Sequence, residues 1–179
     1  MSLSLVREKI NNIDDNMKQL FDERMECSNQ VAAVKISEND KVYKPLREKE
    51  IGERFAGDEE YLAFVKKVMQ ISRRRQYGMF LDQQIESIRK DEFAKCKKAI
   101  TEQGLLKLNL KADKTSTDGL NVADILSLLG DSSLDIKCLT VSEDGYIDIT
   151  IVVNDDDKAR QEAFVLAYML SEETIEYIA

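Results

Sequence analysis

The feature that most constrains this chain is a heptad repeat in residues 3–37. Apolar side chains recur there at alternating spacings of three and four residues, and no glycine or proline interrupts them. This pattern predicts about ten turns of continuous helix with one apolar stripe. The members of the stripe are Leu3, Val6, Ile10, Ile13, Met17, Leu20, Arg24, Cys27, Val31 and Val34. Arg24 is the exception: a guanidinium buried without a partner is costly, so it needs a carboxylate of the protein or an anion from outside.

The residue types that are missing exclude several kinds of chemistry. The 179 residues contain no histidine, which removes the usual general base, the Ser/His and Cys/His nucleophile pairs and most zinc sites. The three cysteines, Cys27, Cys96 and Cys138, are too far apart for a disulfide framework or a metal-binding motif. No signal-peptide pattern and no membrane-spanning run is present. We therefore expect a cytoplasmic protein without a metal, a cofactor or a membrane partner.

The charge is distributed unevenly and suggests two units. Residues 1–104 carry 20 Lys and Arg against 19 Asp and Glu, a net charge of +1, whereas residues 105–179 carry 6 against 15, a net charge of −9. The acidic second half argues against a nucleic-acid partner. We expect a helical domain at 1–104 and a small α+β domain at 105–179.

The first unit is predicted to contain three helices. The first helix ends near residues 37–40, and the second follows Pro45. The third begins after Asp58, a good N-cap residue, and is expected to run to about Gln103, with Gly104 as its stop. The long first helix overhangs the short second one, so its apolar stripe lacks cover within its own chain. We therefore expect a homodimer.

The second unit shows strand periodicity. Leu106, Leu108 and Leu110 alternate with polar residues, which is typical of a half-buried strand. The further predicted elements are a helix at 122–129, strands at 136–141 and 146–153, a helix at 158–170 and an edge strand at 174–178. A turn at residues 143–145 joins the two middle strands. The order βαββα(β) is that of a ferredoxin-like unit, and the whole chain is predicted to be of the α+β class.

Cations on the first helix could share one anion. Lys35 follows Arg24 by eleven residues, or about three turns, so both side chains leave the same face about 16 Å apart. Arg7 precedes Arg24 by about 25 Å along the axis, too far to reach the same ligand within one chain. In an antiparallel dimer, however, Arg7 of one chain could lie beside the site of the other.

Polar residues on the other two helices add to this set, although each has an ordinary explanation. Ser72 and Gln76 are four residues apart and share a helix face. Arg47 and Glu48 lie near the N-terminal amides of the second helix, which favour anions. Taken alone, these could be a helix–helix polar patch and a surface ion pair. Likewise, Arg24 could pair with an acid of a partner helix, and the three arginines at 73–75 could form a solvated face.

Taken together, three separated segments resemble the all-helical chorismate mutase family. They are residues 7–35, with Arg7, Arg24 and Lys35, then residues 42–48, with Arg47 and Glu48, and finally residues 71–76, with Ser72 and Gln76. The resemblance covers about residues 3–80. It implies an intertwined dimer of three-helix chains that converts chorismate to prephenate by a Claisen rearrangement, which needs no proton transfer and no cofactor.

The resemblance also implies roles for individual residues. The substrate-binding set would be Arg7, Arg24, Lys35, Lys44, Arg47, Glu48, Ser72 and Gln76. Arg24 and Arg7 of the partner subunit would bind the two carboxylates of chorismate. Lys35 and Gln76 would donate hydrogen bonds to the ether oxygen, where negative charge develops. Glu48 would hold the ring hydroxyl, so that Lys35, Gln76, Arg24 and Glu48 form the catalytic group.

The remaining residues have supporting roles, and two positions depart from the family. Arg47 would support the site, and Ser72 would touch a substrate carboxylate. Lys44 stands where family members often have an acidic residue; if only its backbone amide contributes, little changes. Gln70 stands where many relatives have glutamate.

The second unit is too short for the prephenate dehydratase or dehydrogenase that is often fused to such enzymes. Its element order, with residues 118–120 before a helix at 125–129, resembles an ACT regulatory domain. That resemblance implies an amino-acid effector, phenylalanine or tyrosine. The alternative is an added dimerisation or stabilising module.

Two classes of function follow from the sequence. The first is a chorismate mutase of aromatic amino-acid biosynthesis, with the related isochorismate pyruvate lyase activity as a variant of the same cationic site. The second is a non-catalytic dimer that binds chorismate or senses an amino acid and reports it to a partner enzyme.

Overall fold

The chain folds into a helix-rich N-terminal part followed by a four-stranded antiparallel sheet. The computed structural model describes residues 2–84, 90–111, 122–132, 134–153, 157–171 and 175–178. Its elements are α1 (Leu3–Glu38), α2 (Pro45–Arg54), α3 (Glu59–Gln84), α4 (Lys90–Ala99), β1 (Leu105–Lys111), α5 (Val122–Asp131), β2 (Asp135–Val141), β3 (Tyr146–Val152), α6 (Asp157–Ser171) and β4 (Ile175–Tyr177). The predicted α+β class is confirmed.

The helix α1 spans 36 residues, as the uninterrupted heptad pattern predicted. The Ser2 hydroxyl accepts a hydrogen bond from the Leu5 amide at 3.4 Å and caps its N-terminus. Asn39 ends the helix in the left-handed conformation, with a φ of 53°. Asparagine tolerates that conformation better than most residues do, so the stop is encoded locally.

The starts of α2 and α3 are also encoded locally. Pro45 occupies the first turn of α2, where its missing amide hydrogen costs no helical hydrogen bond. Before α3, Gly57 has a φ of 99°, which is accessible to glycine and turns the chain. The Asp58 carboxylate then accepts a hydrogen bond from the Tyr61 amide at 3.0 Å, so the predicted N-cap is confirmed.

The helix that was predicted to run to about Gln103 ends earlier, at Ala99 of α4. A tight turn follows, in which the Gly104 amide donates to the Thr101 carbonyl at 2.9 Å. Gly104 has a φ of 68°, and a Cβ on it would lie 2.5 Å from the Val153 carbonyl oxygen. Gly104 therefore serves the turn into β1 and does not end a helix. Residues 85–89, which were predicted to belong to the same helix, lie outside the described residues.

The sheet has the strand order β2-β3-β1-β4, and its pairs are antiparallel. With helices α5 and α6, this is the predicted ferredoxin-like order of elements. The turn between β2 and β3 places Gly145 at a φ of 86°, and its amide donates to the Ser142 carbonyl at 3.1 Å. Residues 118–120, on which the ACT resemblance partly depends, lie outside the described residues.

One apolar core extends from the sheet into the helical part. The strands supply alternate residues to it, as the β1 pattern predicted: Leu106, Leu108 and Leu110 from β1, and Ile147, Ile149 and Ile151 from β3. The same cluster includes Tyr77 and Phe80 of α3 and Cys96 of α4. Each such buried aliphatic side chain stabilises the fold by about 1.5–3 kcal/mol. The core fixes the C-terminal half of α3 against the sheet layer, while the domain boundary at residue 104 stays a prediction.

A polar contact also ties α3 to this layer. The Gln70 side chain donates a hydrogen bond to the Gly130 carbonyl of α5 at 3.3 Å. A glutamate carboxylate at this position could not donate that bond. The departure from the family at Gln70 thus coincides with a contact to the C-terminal unit.

One face of α1 is buried and the neighbouring face is exposed. Met25, Ser28 and Ala32 are buried, and α1 packs against α3. The heptad stripe lies beside this face and is exposed apart from the half-buried Val6; Leu20, for example, is 64% exposed. Within its own chain the stripe is therefore uncovered, as the overhang argument required.

Candidate active site

A small polar cluster is buried between α1 and α3. It consists of Ser28 of α1 and Ser72 and Gln76 of α3, and all three side chains are at most 8% exposed. The hydroxyl oxygens of Ser28 and Ser72 are 2.6 Å apart, and the Ser28 hydroxyl also lies 3.3 Å from the Ser72 carbonyl oxygen. The structure therefore brings together Ser72 and Gln76, which the sequence analysis selected, and adds Ser28.

The carboxamide of Gln76 is only half satisfied in this cluster. Its Nε2 atom donates to the Ser28 hydroxyl at 3.1 Å and approaches the Ser72 hydroxyl at 3.5 Å. Its Oε1 atom is buried and has no hydrogen-bond partner in the part of the chain that the structure describes. A buried acceptor without a partner costs about 1–3 kcal/mol, so this atom marks a place where a further hydrogen bond would be favourable.

Sequence analysis missed Ser28, although its spacing contained a signal. Ser28 lies four residues after Arg24 and seven before Lys35, so the three residues fall close to one face of α1. A serine in the middle of a long helix is also less favourable than alanine by about 0.5 kcal/mol. A polar residue at this position therefore has to be explained by what its hydroxyl contacts.

An ion pair joins α3 to α2 next to this cluster. The Arg73 guanidinium donates to the Glu48 carboxylate, and it also lies 5.5 Å from the centroid of the Tyr43 ring. Arg73 is 6% exposed. The prediction of a solvated face for residues 73–75 is therefore wrong for Arg73, although Arg74 and Arg75 are exposed. The reason is helical periodicity, because Arg73 shares the buried face of α3 with Met69 and Gln76.

Arg24 stands on the exposed stripe of α1. No carboxylate among the described residues lies within ion-pair distance of its guanidinium, so the structure gives it no acidic partner within one chain. Partial burial lowers the pKa of Arg24 below its usual range, and Cys27 acts in the opposite direction. The side chain is still cationic at neutral pH, and covering the stripe would leave that charge in need of an anion.

Arg7 stands far from the cluster on the same helix. Seventeen residues separate it from Arg24, which is about 25 Å along α1, and it is exposed. No hydrogen bond or ion pair links it to another predicted site residue of the described chain. A role for Arg7 in a site with Arg24 therefore needs a second chain and stays a prediction.

The cations around the α1–α2 connection are engaged with nearby groups. The Lys35 ammonium donates to the Val42 carbonyl at 2.6 Å, so it is held at the C-terminal end of α1. Lys44 pairs with Asp40, and its hydrogen bond lowers the pKa of the Asp40 carboxyl below its ordinary value of 3.8. Arg47 of α2 donates to Glu50 at 2.9 Å on the exposed surface. No hydrogen bond or ion pair of the described residues joins Arg47 to Ser28, Ser72 or Gln76.

Comparison with known protein families bears on the interpretation of this helical part. Residues 6–77 match the family model of chorismate mutase type II. The resemblance seen in the sequence is thereby confirmed over this segment, which we call the chorismate mutase segment. The match supports chorismate mutase activity in general, with chorismate as the substrate, and it points to an isomerase.

The extent of the chorismate mutase segment is informative. It begins one residue before Arg7 and ends one residue after Gln76, so it contains every predicted site residue. It covers less than half of the 179 residues, and the strands of the C-terminal sheet lie outside it. No curated protein and no solved structure gives a significant match to the chain.

Other kinds of site find little support in the described chain. Its His, Cys, Asp and Glu side chains form no group of three or more that could hold a metal ion. None of the described helices has the length and apolar content needed to cross a membrane. The three cysteines are free thiols, with Cys96 buried and Cys27 and Cys138 exposed.

A separate cavity lies outside the chorismate mutase segment. It has a volume of about 320 Å³ and lies between the end of α4, the turn before β1, and α6. Its lining residues are Lys97, Ile100, Thr101, Glu102, Gly104, Val153 and Arg160. Two cations, one carboxylate and apolar side chains therefore line this cavity.

Proposed function

We propose that the protein is a chorismate mutase that rearranges chorismate to prephenate on the route to phenylalanine and tyrosine. The observation that carries the proposal is the position of Arg24. It lies within the chorismate mutase segment, on an exposed apolar stripe, with no carboxylate partner among the residues described. A second copy that covered the stripe would bury this cation, and the carboxylate of a substrate would then neutralise it.

The proposed rearrangement breaks the C–O bond of the enolpyruvyl ether as a new C–C bond forms within the same molecule. It therefore needs neither a general base nor a covalent intermediate. The first task of the protein is to hold the compact conformer, in which the two reacting carbons are close. Arg24 and Arg7 of the partner subunit would do this by binding the two carboxylates. Glu48 would hold the ring hydroxyl through its carboxylate.

The second task is to stabilise the charge that builds up on the ether oxygen as its bond to the ring breaks. Hydrogen-bond donors that are already in place stabilise such charge without reorganising. Lys35 and Gln76 are the proposed donors. Lys35 is held by the Val42 carbonyl, and the Gln76 side chain contacts two serines. The position of each side chain is therefore restricted before a substrate arrives, and only the orientation of the Gln76 amide group has to be set.

The dimer is part of the proposal, because one chain does not complete the site. Arg7 and Arg24 lie too far apart on α1 to bind one small molecule. The uncovered stripe extends over the full length of α1, including the turns that carry both arginines. Antiparallel pairing of two α1 helices along this stripe would bury it and bring Arg7 of one chain to Arg24 of the other.

One observation favours a second candidate function, a non-catalytic chorismate-binding regulator. Glu48 is already engaged by Arg73 in the described structure. If that ion pair persisted with ligand bound, the grip on the ring hydroxyl would be weaker, and binding could survive while catalysis was lost. Cleavage of isochorismate to pyruvate and salicylate by the same cations is a further variant of the proposal.

The deciding experiment follows the ultraviolet absorbance of chorismate with the purified full chain and identifies the product. Loss of chorismate with prephenate as the product supports the proposal. Arg24→Ala should then lower kcat/KM by about a hundredfold or more, while the matched exposed variant Arg75→Ala should not change it. Chorismate binding without turnover would support the regulator, and pyruvate with salicylate from isochorismate would support the lyase.

We further propose that the 320 Å³ cavity accepts an amino-acid effector, phenylalanine or tyrosine. Lys97 and Arg160 are suited to the carboxylate of such a ligand, and Glu102 to its ammonium group. Inhibition by phenylalanine or tyrosine that Glu102→Gln abolishes, with basal turnover unchanged, would support this proposal. No effect of either amino acid would favour a purely structural role for the C-terminal unit.

The three free thiols fit the reducing cytoplasm in which we place the protein.

A further inference from the structure

The hydroxyl of Ser28 has a position that helix packing alone does not require. It is buried between α1 and α3, where alanine would suit the helix better and would need no hydrogen-bond partner. Instead, the hydroxyl contacts three groups: the Gln76 carboxamide at 3.1 Å, the Ser72 hydroxyl at 2.6 Å and the Ser72 carbonyl at 3.3 Å. A residue that breaks a local preference in this way often serves a site.

The hydrogen-bond inventory of the cluster shows what Ser28 can do. Each serine hydroxyl has one proton to donate and can also accept, whereas the carboxamide has a donor end and an acceptor end. In the described arrangement the donor end, Nε2, faces the serines, and the acceptor end, Oε1, has no partner among the described residues. The unsatisfied atom is therefore an acceptor, and an ether oxygen, which is itself only an acceptor, could not pair with it.

A half-turn of the carboxamide about its Cγ–Cδ bond resolves this mismatch. The turn exchanges Oε1 and Nε2, so that Oε1 takes the place about 3 Å from the Ser28 hydroxyl and accepts its proton. Nε2 then takes the buried place that has no partner and can donate to a ligand oxygen. The carbonyl oxygen Oε1 then has a hydrogen-bond partner. The atom of the cluster that still lacks a partner is the donor Nε2.

We propose that Ser28 is a positioning residue for Gln76: its hydroxyl holds Oε1 of the carboxamide so that Nε2 donates to the ether oxygen of the substrate. This inference rests on the proposed chorismate mutase function. Ser72 supports the arrangement through its hydroxyl, 2.6 Å from that of Ser28. Ser28 itself touches no reacting atom and acts only through Gln76.

The test is a double-mutant cycle on the full chain, with kcat and KM measured for Ser28→Ala, Gln76→Ala and the double variant. Ser28→Ala should lower kcat by about tenfold and change KM by less than about twofold, because the lost interaction matters mainly in the transition state. In the Gln76→Ala background, Ser28→Ala should cause no further loss of kcat. The matched control is Ser37→Ala, which removes an exposed hydroxyl from the same helix and should leave kcat unchanged.

A purely structural role for Ser28 predicts a different pattern. Ser28→Ala would then lower kcat by the same factor with and without Gln76, and that result would overturn the inference. An unchanged kcat in Ser28→Ala would overturn it as well. Ser28→Thr keeps a hydroxyl and should retain kcat within about threefold of the wild type, which provides a second test should Ser28→Ala fold poorly. If the wild-type chain converts no chorismate, the proposed function fails and the inference falls with it, so the two failures are distinguishable.

Discussion

Arg73 of α3 and Glu48 of α2 form an ion pair, with the Arg73 side chain 7% exposed and the Glu48 side chain 25% exposed. This pair fixes the short helix α2, which makes few other contacts, against the helix that carries Ser72 and Gln76. The Glu48 carboxylate is also the group proposed to hold the ring hydroxyl of the substrate. A structural pair and a proposed substrate contact thus share one carboxylate.

Arg73→Met should destabilise the protein by about 3 kcal/mol, because removing one partner of a largely buried pair leaves the other charge poorly compensated. Urea unfolding of the purified chain measures this change. Arg75→Met, an exposed variant two residues away, should change the free energy of unfolding by less than about 0.5 kcal/mol. Equal small effects of the two variants would show that the Arg73 pair contributes little.

Gln76→Ala should lower kcat by about a hundredfold while KM changes by less than about fivefold, since the proposed hydrogen bond to the ether oxygen strengthens in the transition state. Steady-state kinetics with chorismate provide both values. Small and equal losses in kcat and in substrate affinity would contradict the catalytic role of Gln76.

Leu20→Lys should dissociate the proposed dimer, because it places a charge in the middle of the apolar stripe of α1. Sedimentation velocity should then show a monomer. Asn12→Lys adds the same charge to the same helix outside the stripe and should leave the dimer intact. A wild-type chain that sediments as a monomer would refute the proposed pairing directly.

Mixing Arg7→Ala chains with Arg24→Ala chains should restore activity that neither variant has alone. Each mixed dimer would contain one intact site and one site that lacks both arginines, so random mixing restores about a quarter of the wild-type sites. The measurement is chorismate turnover before and after unfolding and refolding of the mixture. No recovery in verified mixed dimers would argue that the two arginines do not serve one site.

The stability of the protein should fall between pH 9 and pH 11 because of Cys96. Burial raises the pKa of its thiol from 9.0 to about 11. In that window the unfolded chain releases the thiol proton and the folded chain keeps it, so rising pH favours unfolding, by up to about 3 kcal/mol. Chemical denaturation across this window should show a shallower decline for Cys96→Ala than for the wild type. If the free energy of unfolding declined equally with pH in the two proteins, the Cys96 thiol would not be the cause of the decline.

Much of the fold could be predicted because it depends on neighbouring residues. The Asp58 cap, the Gly145 turn and the alternation of Leu106, Leu108 and Leu110 are all local, and each was found where the sequence indicated. The end of α4 was misplaced because Gly104 could equally end a helix or form a tight turn. Its close approach to Val153, distant in sequence, decided for the turn.

The candidate site was also predictable only in part from the sequence. Residue types and spacing were enough to select Ser72 and Gln76, which the structure brings together, whereas the roles of the selected cations stay predictions. The same spacing rules did not tell which of the arginines at residues 73–75 is buried, and they did not select Ser28 as a site residue. Periodicity tells which residues share a face of a helix, but it does not tell which helix that face meets.

By itself, the sequence determined the long first helix, the order of elements in the C-terminal unit and the family of residues 6–77, because these follow from local preferences and from an ordered set of residue types. Only the tertiary structure decided that Arg73 is buried against Glu48 and that Ser28 meets Gln76. The physical reason is that burial and hydrogen-bond partners depend on contacts between residues far apart in the chain, which packing sets and no local pattern contains.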